Sequence, residues 1–143
     1  MERPMVTCQR RLAILWFAGA AVPFAILLAS TSRFMEYPGG LEEVWGWFSQ
    51  TLLPTLALIV GVLVTESRGQ ASAKRKADGF LFVFAFVLSS VYLLVVTLTV
   101  LVQPFFTITP GPWFKWSSLW LGVLQGLVSA FLGAFYVKPA RAT

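Results

Sequence analysis

SLWLGVLQGLVSAFLGAFY, residues Ser118 to Tyr136, decides how the chain is read. Wound at about 3.6 residues per turn, it places Ser118, Gly122, Gln125, Ser129 and Gly133 in one narrow stripe. Trp120, Leu124, Leu127, Phe131 and Phe135 fall on the opposite side. One face is small and weakly polar, the other large and apolar, and neither is charged. A helix facing water would carry Lys and Glu on its polar face. The large face suits lipid. The small face suits another helix, because small residues let two backbones approach closely. The rest of the chain is expected to pack around this stripe, with Gly126 beside it as a further close-contact position.

An earlier segment repeats the pattern. Gly46, Gln50, Pro54, Ala57, Gly61 and Thr65 share one helical stripe, opposed by Phe48, Leu52, Leu56, Ile59 and Leu63. Four apolar runs occupy residues 12–32, 44–65, 80–102 and 113–137, uncharged but for Lys115 near the start of the last. Each is long enough as a helix to cross the ~30 Å hydrocarbon layer of a bilayer. The expected fold is therefore all-α: a polytopic integral membrane protein, a bundle of four transmembrane helices forming one domain over residues 1–143. The third run, apolar nearly all round, is expected to be the peripheral, lipid-facing helix. Pro23 and Pro54 remove amide hydrogens inside the first and second runs and are expected to kink them. Arg10-Arg11 before an apolar run resembles a twin-arginine leader, but the run exceeds the 7–15 residues usual for a leader's apolar stretch. It is read as a retained span.

Composition agrees. Of 143 residues, 57% are hydrophobic and 12% charged, a balance that a water-soluble domain of this size could not hide. The net charge of +5 does not point to nucleic acid, because the basic residues flank the apolar runs. Nine of the 11 Lys and Arg residues fall on one side of the alternating topology, leaving Arg33 and Lys115 on the other. Basic loops stay cytoplasmic, so both termini are expected in the cytoplasm and the protein in a cytoplasmic (inner or plasma) membrane. Trp45, Trp47, Trp113 and Trp116 are expected in the outer interfacial belt.

Apart from Lys115 at the outer edge of the fourth, the runs contain no Asp, Glu, His, Lys or Arg, the residues that enzymes and proton-coupled carriers place inside a bilayer. With no histidine and one cysteine, Cys8, the material for a metal or haem site is lacking. The chain is expected to be no enzyme and to use no cofactor. Cys8 beside the first run is either a plain thiol or a site of acylation.

What remains is a sparse polar set. Gln50 and Gln125, with Ser129, are expected in nearly one layer of the bundle. A primary amide buried in hydrocarbon must be hydrogen-bonded or wet. The pair is thus either a structural lock or the lining of a pore between several copies. Gly46, Ala57, Gly61, Gly122, Gly126 and Gly133 are the expected helix-packing positions. Glu36, Glu42 and Glu43 form either an acidic pore mouth or a solvated loop that favours a helix N-terminus. Arg68, Lys74, Arg75 and Lys76 form a cytosolic loop suited to anionic lipid headgroups or a protein partner.

The function that fits is a non-enzymatic, self-associating channel or pore, of the kind that permeabilises membranes as an effector. The alternatives are an accessory or scaffold subunit of a larger membrane complex, and then a small-solute carrier. The expected partners are the bilayer, anionic headgroups, and further copies or other membrane subunits, with no nucleic acid.

Overall fold

Apolar stretches of this length leave each backbone amide no partner but its own helix, and the computed structural model obeys that constraint. It describes residues 3–67, 76–77 and 79–137. Four long helices dominate: α1 Met5–Ala29, α3 Gly40–Ser67, α4 Gly79–Val102 and α5 Pro110–Val137. All four are long and apolar enough to cross a membrane. A single-turn helix, α2 Thr31–Phe34, follows α1, and a 3-10 turn, Gln103–Phe105, follows α4. Arg3–Pro4 pairs antiparallel with Lys76–Ala77, tying the segment before α1 to the one before α4.

Helix ends differ from the apolar runs in the sequence. α1 begins at Met5 rather than near Leu12, because Thr7, Gln9, Arg10 and Arg11 continue it, and it stops at Ala29. α3 begins at Gly40 and α5 at Pro110. Hydropathy marks where a helix is apolar, whereas the turns mark where it ends. The turn into α3 needs Gly39, whose φ of 72° is a left-handed conformation.

Cross-helix contacts give the arrangement. Trp16 lies against Tyr92 and Gly19 against Leu93, so α1 and α4 run parallel. Glu43 reaches Gly111, Trp47 meets Phe114 and Gln50 shares a recess with Ser118, so α3 and α5 also run parallel. Phe82 meets Phe135, Phe84 meets Phe131, and the Trp113 indole Nε1–H donates to the Thr99 carbonyl, so α4 and α5 are antiparallel. Phe24 against Trp45 and Phe48 brings α3 back to α1. Around the bundle the order is α1, α4, α5, α3, with the α1–α3 contact the loosest.

The seams follow spacings of three and four residues, as in left-handed helix packing. On α4 they are Phe82, Ala85, Ser89, Tyr92, Val96 and Thr99, all buried. α4 is therefore no more peripheral than the other helices: one face packs on α1 and α5, while Phe80, Val83, Val87 and Leu94 on the other are exposed. Its hydroxyls recur at seam spacing, whereas its overall apolarity says nothing about neighbours. On α5 the seam is Phe114, Ser117, Leu121, Val128, Leu132 and Phe135. This is neither of the two faces expected from the sequence. Of the large face, Trp120 and Leu127 are exposed, Leu124 and Phe131 half-buried, and Phe135 buried.

At the centre, Tyr92 is fully enclosed and its hydroxyl donates to the Thr51 carbonyl at 2.7 Å. This bond crosses the bundle diagonally from α4 to α3. The carbonyl accepting it neighbours that of Gln50, which Pro54 deprives of its helical amide partner. Both α1 and α3 continue as helices through Pro23 and Pro54. Cys8 is buried in the core cluster, which withholds its thiol from acylation.

Two predictions follow from this packing. Tyr92→Phe keeps the ring but removes the cross-bundle bond, and should lower unfolding stability in detergent by about 1 kcal/mol. An unchanged unfolding midpoint would mean that the bond does not stabilise the fold. A Cβ at Gly19 would lie 2.6 Å from Leu93 Cδ1, whereas one at Gly122 would meet nothing within 4 Å. Gly19→Leu should therefore destabilise the single chain by about 1–3 kcal/mol and Gly122→Leu hardly at all. Equal melting shifts for the two would contradict the packing described here.

Candidate functional site

At one end of the bundle, residues 30–40 and 103–111 are joined by polar contacts. The Arg33 Nη2 donates to Gln103 Oε1 at 2.6 Å, and its guanidinium lies 5.2 Å from the Phe34 ring centroid. Buried Gln103 in turn donates to the Ile108 carbonyl at 3.5 Å. Phe34 packs edge-on against Phe114, and Phe114 against Trp47. The two connecting segments are thus clipped together by one cation and an aromatic cluster spanning α2, α3 and α5.

Beside that cluster, α3 and α5 separate to form a recess of about 220 Å³ on the flank of the bundle. Glu43, Gly46, Trp47 and Gln50 line it from α3. Gly111, Phe114, Lys115 and Ser118 line it from α5. Lys115 Nζ stands 3.1 Å from Glu43 Oε1. A Cβ at Gly111 would strike the same carboxylate, so glycine there lets the acid reach across. Trp47 is 5% exposed, and its indole Nε1–H, fully buried, has no acceptor. Sequence reasoning used Lys115 only to count charge and missed its partnership with Glu43. The only signal was that both lie near the starts of apolar runs.

The expected polar layer is placed differently. With Glu43 beside Lys115 and Gln50 beside Ser118, α3 and α5 run in a register that puts Gln125 level with Ala57. Gln125 is then seven residues, about 10 Å, from the level of Gln50. The two amides do not share a layer, and among the described residues neither makes a side-chain hydrogen bond. Gln50 is exposed, while Gln125 and Ser129 are half-buried. The register is set by the charged and aromatic contacts at this end, which counting from the opposite helix ends does not capture.

The packing stripes face outward within the single chain. Gly46, Ala57, Gly61, Gly122 and Gly126 are exposed and Gly133 half-buried. A Cβ at any of these five glycines would meet nothing within 4 Å. The expectation that the chain packs around the Gly122–Gly133 stripe is therefore corrected. Glycines of close approach inside the chain are Gly19, Gly40 and Gly111 instead. A stripe of small residues marks room for a neighbour, but it does not say whether the neighbour belongs to the same chain.

The three acids do not converge within one chain. Glu36 is exposed in the turn before α3, Glu42 borders a wide depression with Tyr37 and Trp45, and Glu43 is held by Lys115. Of the basic loop, Arg68, Lys74 and Arg75 lie outside the described residues, as does the Lys76 side chain. Among the buried polar groups of the core, Ser89 and Thr99 stand out in the sequence only as hydroxyls of the third run, and Gln9, Thr51, Thr55 and Ser117 do not stand out at all. Their spacing along each helix could have revealed them. The interior they share with Trp16, Leu52, Ile59, Tyr92 and Leu132 is filled by side chains, so a single bundle is packed through its centre. Among the described residues no group of three or more His, Cys, Asp or Glu is placed to hold a metal. Comparison of the chain with family models, with curated proteins and with solved structures finds no match.

Proposed function

We propose that this chain is a non-enzymatic integral membrane protein that assembles laterally through the small faces of α3 and α5, its copies enclosing a channel or pore. Both termini lie in the cytoplasm in this reading, and the Arg33 end of the bundle faces away from it. The observation that carries the proposal is the outward-facing glycine set, Gly46, Gly61, Gly122, Gly126 and Gly133, at which an added Cβ meets nothing. In lipid, helices associate by close packing rather than by hydrophobic drive. Such a face gains nothing from acyl chains that Leu would not also gain, but it admits a partner helix closely. Ile14, Val83, Leu94 and Val123, exposed around the rest of the bundle, suit a bilayer.

A conducting path, on this proposal, runs between copies and not through one bundle. Gln50 and Gln125 sit on or beside the small faces with their amides unbonded, which suits a wet path better than a dry lock within the chain. The basic segment with Arg68, Lys74, Arg75 and Lys76 would meet anionic headgroups in the cytoplasmic leaflet. The same glycine faces also favour a second reading, an accessory subunit whose small faces receive helices of a larger complex.

Orientation is tested by single cysteines at Glu36 and Ser72, with buried Cys8 as the silent background. They should react with an impermeant thiol reagent from opposite sides of the membrane; reaction from the same side would end the proposed topology. Assembly and conduction are tested together by native mass and liposome ion flux. Gly126→Leu, and more so Gly122→Leu, should dissociate the assembly while the single chain stays folded, whereas Leu127→Ala should not. Gln50→Leu or Gln125→Leu should leave assembly intact and lower flux, because an apolar constriction dewets. A monomeric wild type without flux that captures a defined membrane partner would overturn the pore and support the subunit.

A further inference from the structure

We propose that the recess between α3 and α5 is a binding site for one phospholipid with a primary-ammonium headgroup, of the phosphatidylethanolamine class. The inference rests on the chain being membrane-embedded and on its α3–α5 face being open to lipid; a second copy seated on that face would exclude the acyl chains.

Four features of the recess point to this ligand. First, it holds one carboxylate and one ammonium in contact, Glu43 and Lys115 at 3.1 Å. Side-chain exposure of 37% for Glu43 and 72% for Lys115 leaves both able to take further partners. A zwitterion satisfies both at once: its ammonium N–H groups donate to Glu43, and its phosphodiester accepts from Lys115. An anionic lipid would set its charge beside Glu43, and a trimethylammonium group has no N–H to donate. Second, depth matches a lipid. Glu43 and Lys115 stand within the first two turns of α3 and α5, at headgroup level for helices spanning from Gly40 and Pro110. Gln50 lies about two turns beyond Glu43, roughly 10 Å along the axis, and Ser118, three residues beyond Lys115, lines the recess beside it. That is the level of the glycerol esters, where an amide and a hydroxyl serve as donors.

Third, the Trp47 indole Nε1–H is buried in the wall of the recess without an acceptor. Buried donors are normally paired, and lipid phosphate and ester oxygens bring acceptors to this wall. Fourth, the helix faces that line the recess continue away from it as small residues. On α3, Gly46 and Gln50 lead to Ala57 and Gly61; on α5, Ser118 leads to Gly122 and Gly126. No atom within 4 Å would oppose a Cβ at those glycines, so the faces below the headgroup are open to an acyl chain. The recess volume of about 220 Å³ suits one headgroup and no more.

Native mass spectrometry of the detergent-purified chain is the test. The probes are phosphatidylethanolamine, phosphatidylcholine and phosphatidylglycerol with identical acyl chains. Phosphatidylethanolamine should bind at one site per chain, at least about tenfold more tightly than the other two. Glu43→Gln should remove that preference, and Lys115→Met should weaken all three lipids. Gly46→Leu, at a position with room for its side chain, should fill the recess and abolish the site while circular dichroism stays unchanged. Leu94→Ala, on the exposed face of α4, should change nothing. Equal binding of the three lipids, or a preference that survives both Glu43→Gln and Gly46→Leu, overturns the inference. So does a wild-type dimer that Gly46→Leu dissociates without loss of lipid, since the recess then belongs to a second copy. The same spectra separate the readings. A monomer that binds phosphatidylethanolamine selectively keeps this site and removes the assembly, and an oligomer indifferent to headgroup does the reverse. A chain that stays soluble without detergent would remove the membrane reading itself.

Discussion

The hydrogen bond from Tyr92 to the Thr51 carbonyl is the contact on which the bundle turns. Lipid tails are as apolar as leucine, so nothing but fit and polar pairing tells one apolar helix which neighbour to choose. Tyr92 touches α1 through Trp16 and reaches α3 through its hydroxyl, and it stands on the helix that also packs against α5. One residue therefore relates all four long helices. Its acceptor lies next to the carbonyl that Pro54 leaves without a helical partner, so a proline that would weaken an isolated helix opens the backbone where the core uses it. The diagonal bond also spans the direction in which ring packing offers least contact.

A second set of constraints acts at the Arg33 end. There Arg33 to Gln103, Glu43 to Lys115 and Trp113 to Thr99 join elements far apart in sequence. The last of these satisfies a carbonyl in the final turn of α4, which has no amide of its own helix to accept from. Of these, the Glu43–Lys115 pair joins α3 to α5 and, with Trp47 against Phe114, holds their register. That register separates Gln50 from Gln125 and brings Gln50 to Ser118. A charged pair at the helix starts thereby decides what polar groups can meet deeper in the bundle.

Packing inside the chain and binding outside it use different faces. The buried seams hold large residues at spacings of three and four, such as Phe114, Leu121, Val128 and Leu132 on α5. The glycines lie to one side of them, on faces the chain leaves open. An interior filled by Trp16, Tyr92 and branched aliphatics makes the single bundle a solid body. On its flank the α3–α5 recess adjoins the open small-residue faces.

The sequence by itself determined the number of long helices, their class and the alternation of basic and apolar segments. Those properties depend on local composition and on the need of every backbone amide for a partner within its own segment. The candidate site was legible only in pieces: Gly46, Gln50 and Ser118 stood out for their small or polar side chains, while Lys115 and Trp47 did not. Tertiary structure alone decided which stripe of each helix became the seam, that α4 packs between α1 and α5, and that Glu43 pairs with Lys115. The reason is physical. On a helix apolar nearly all round, a face toward lipid and a face toward another helix have the same hydropathy. They differ only in whether three other helices can fill the space beside them, and no single segment encodes that.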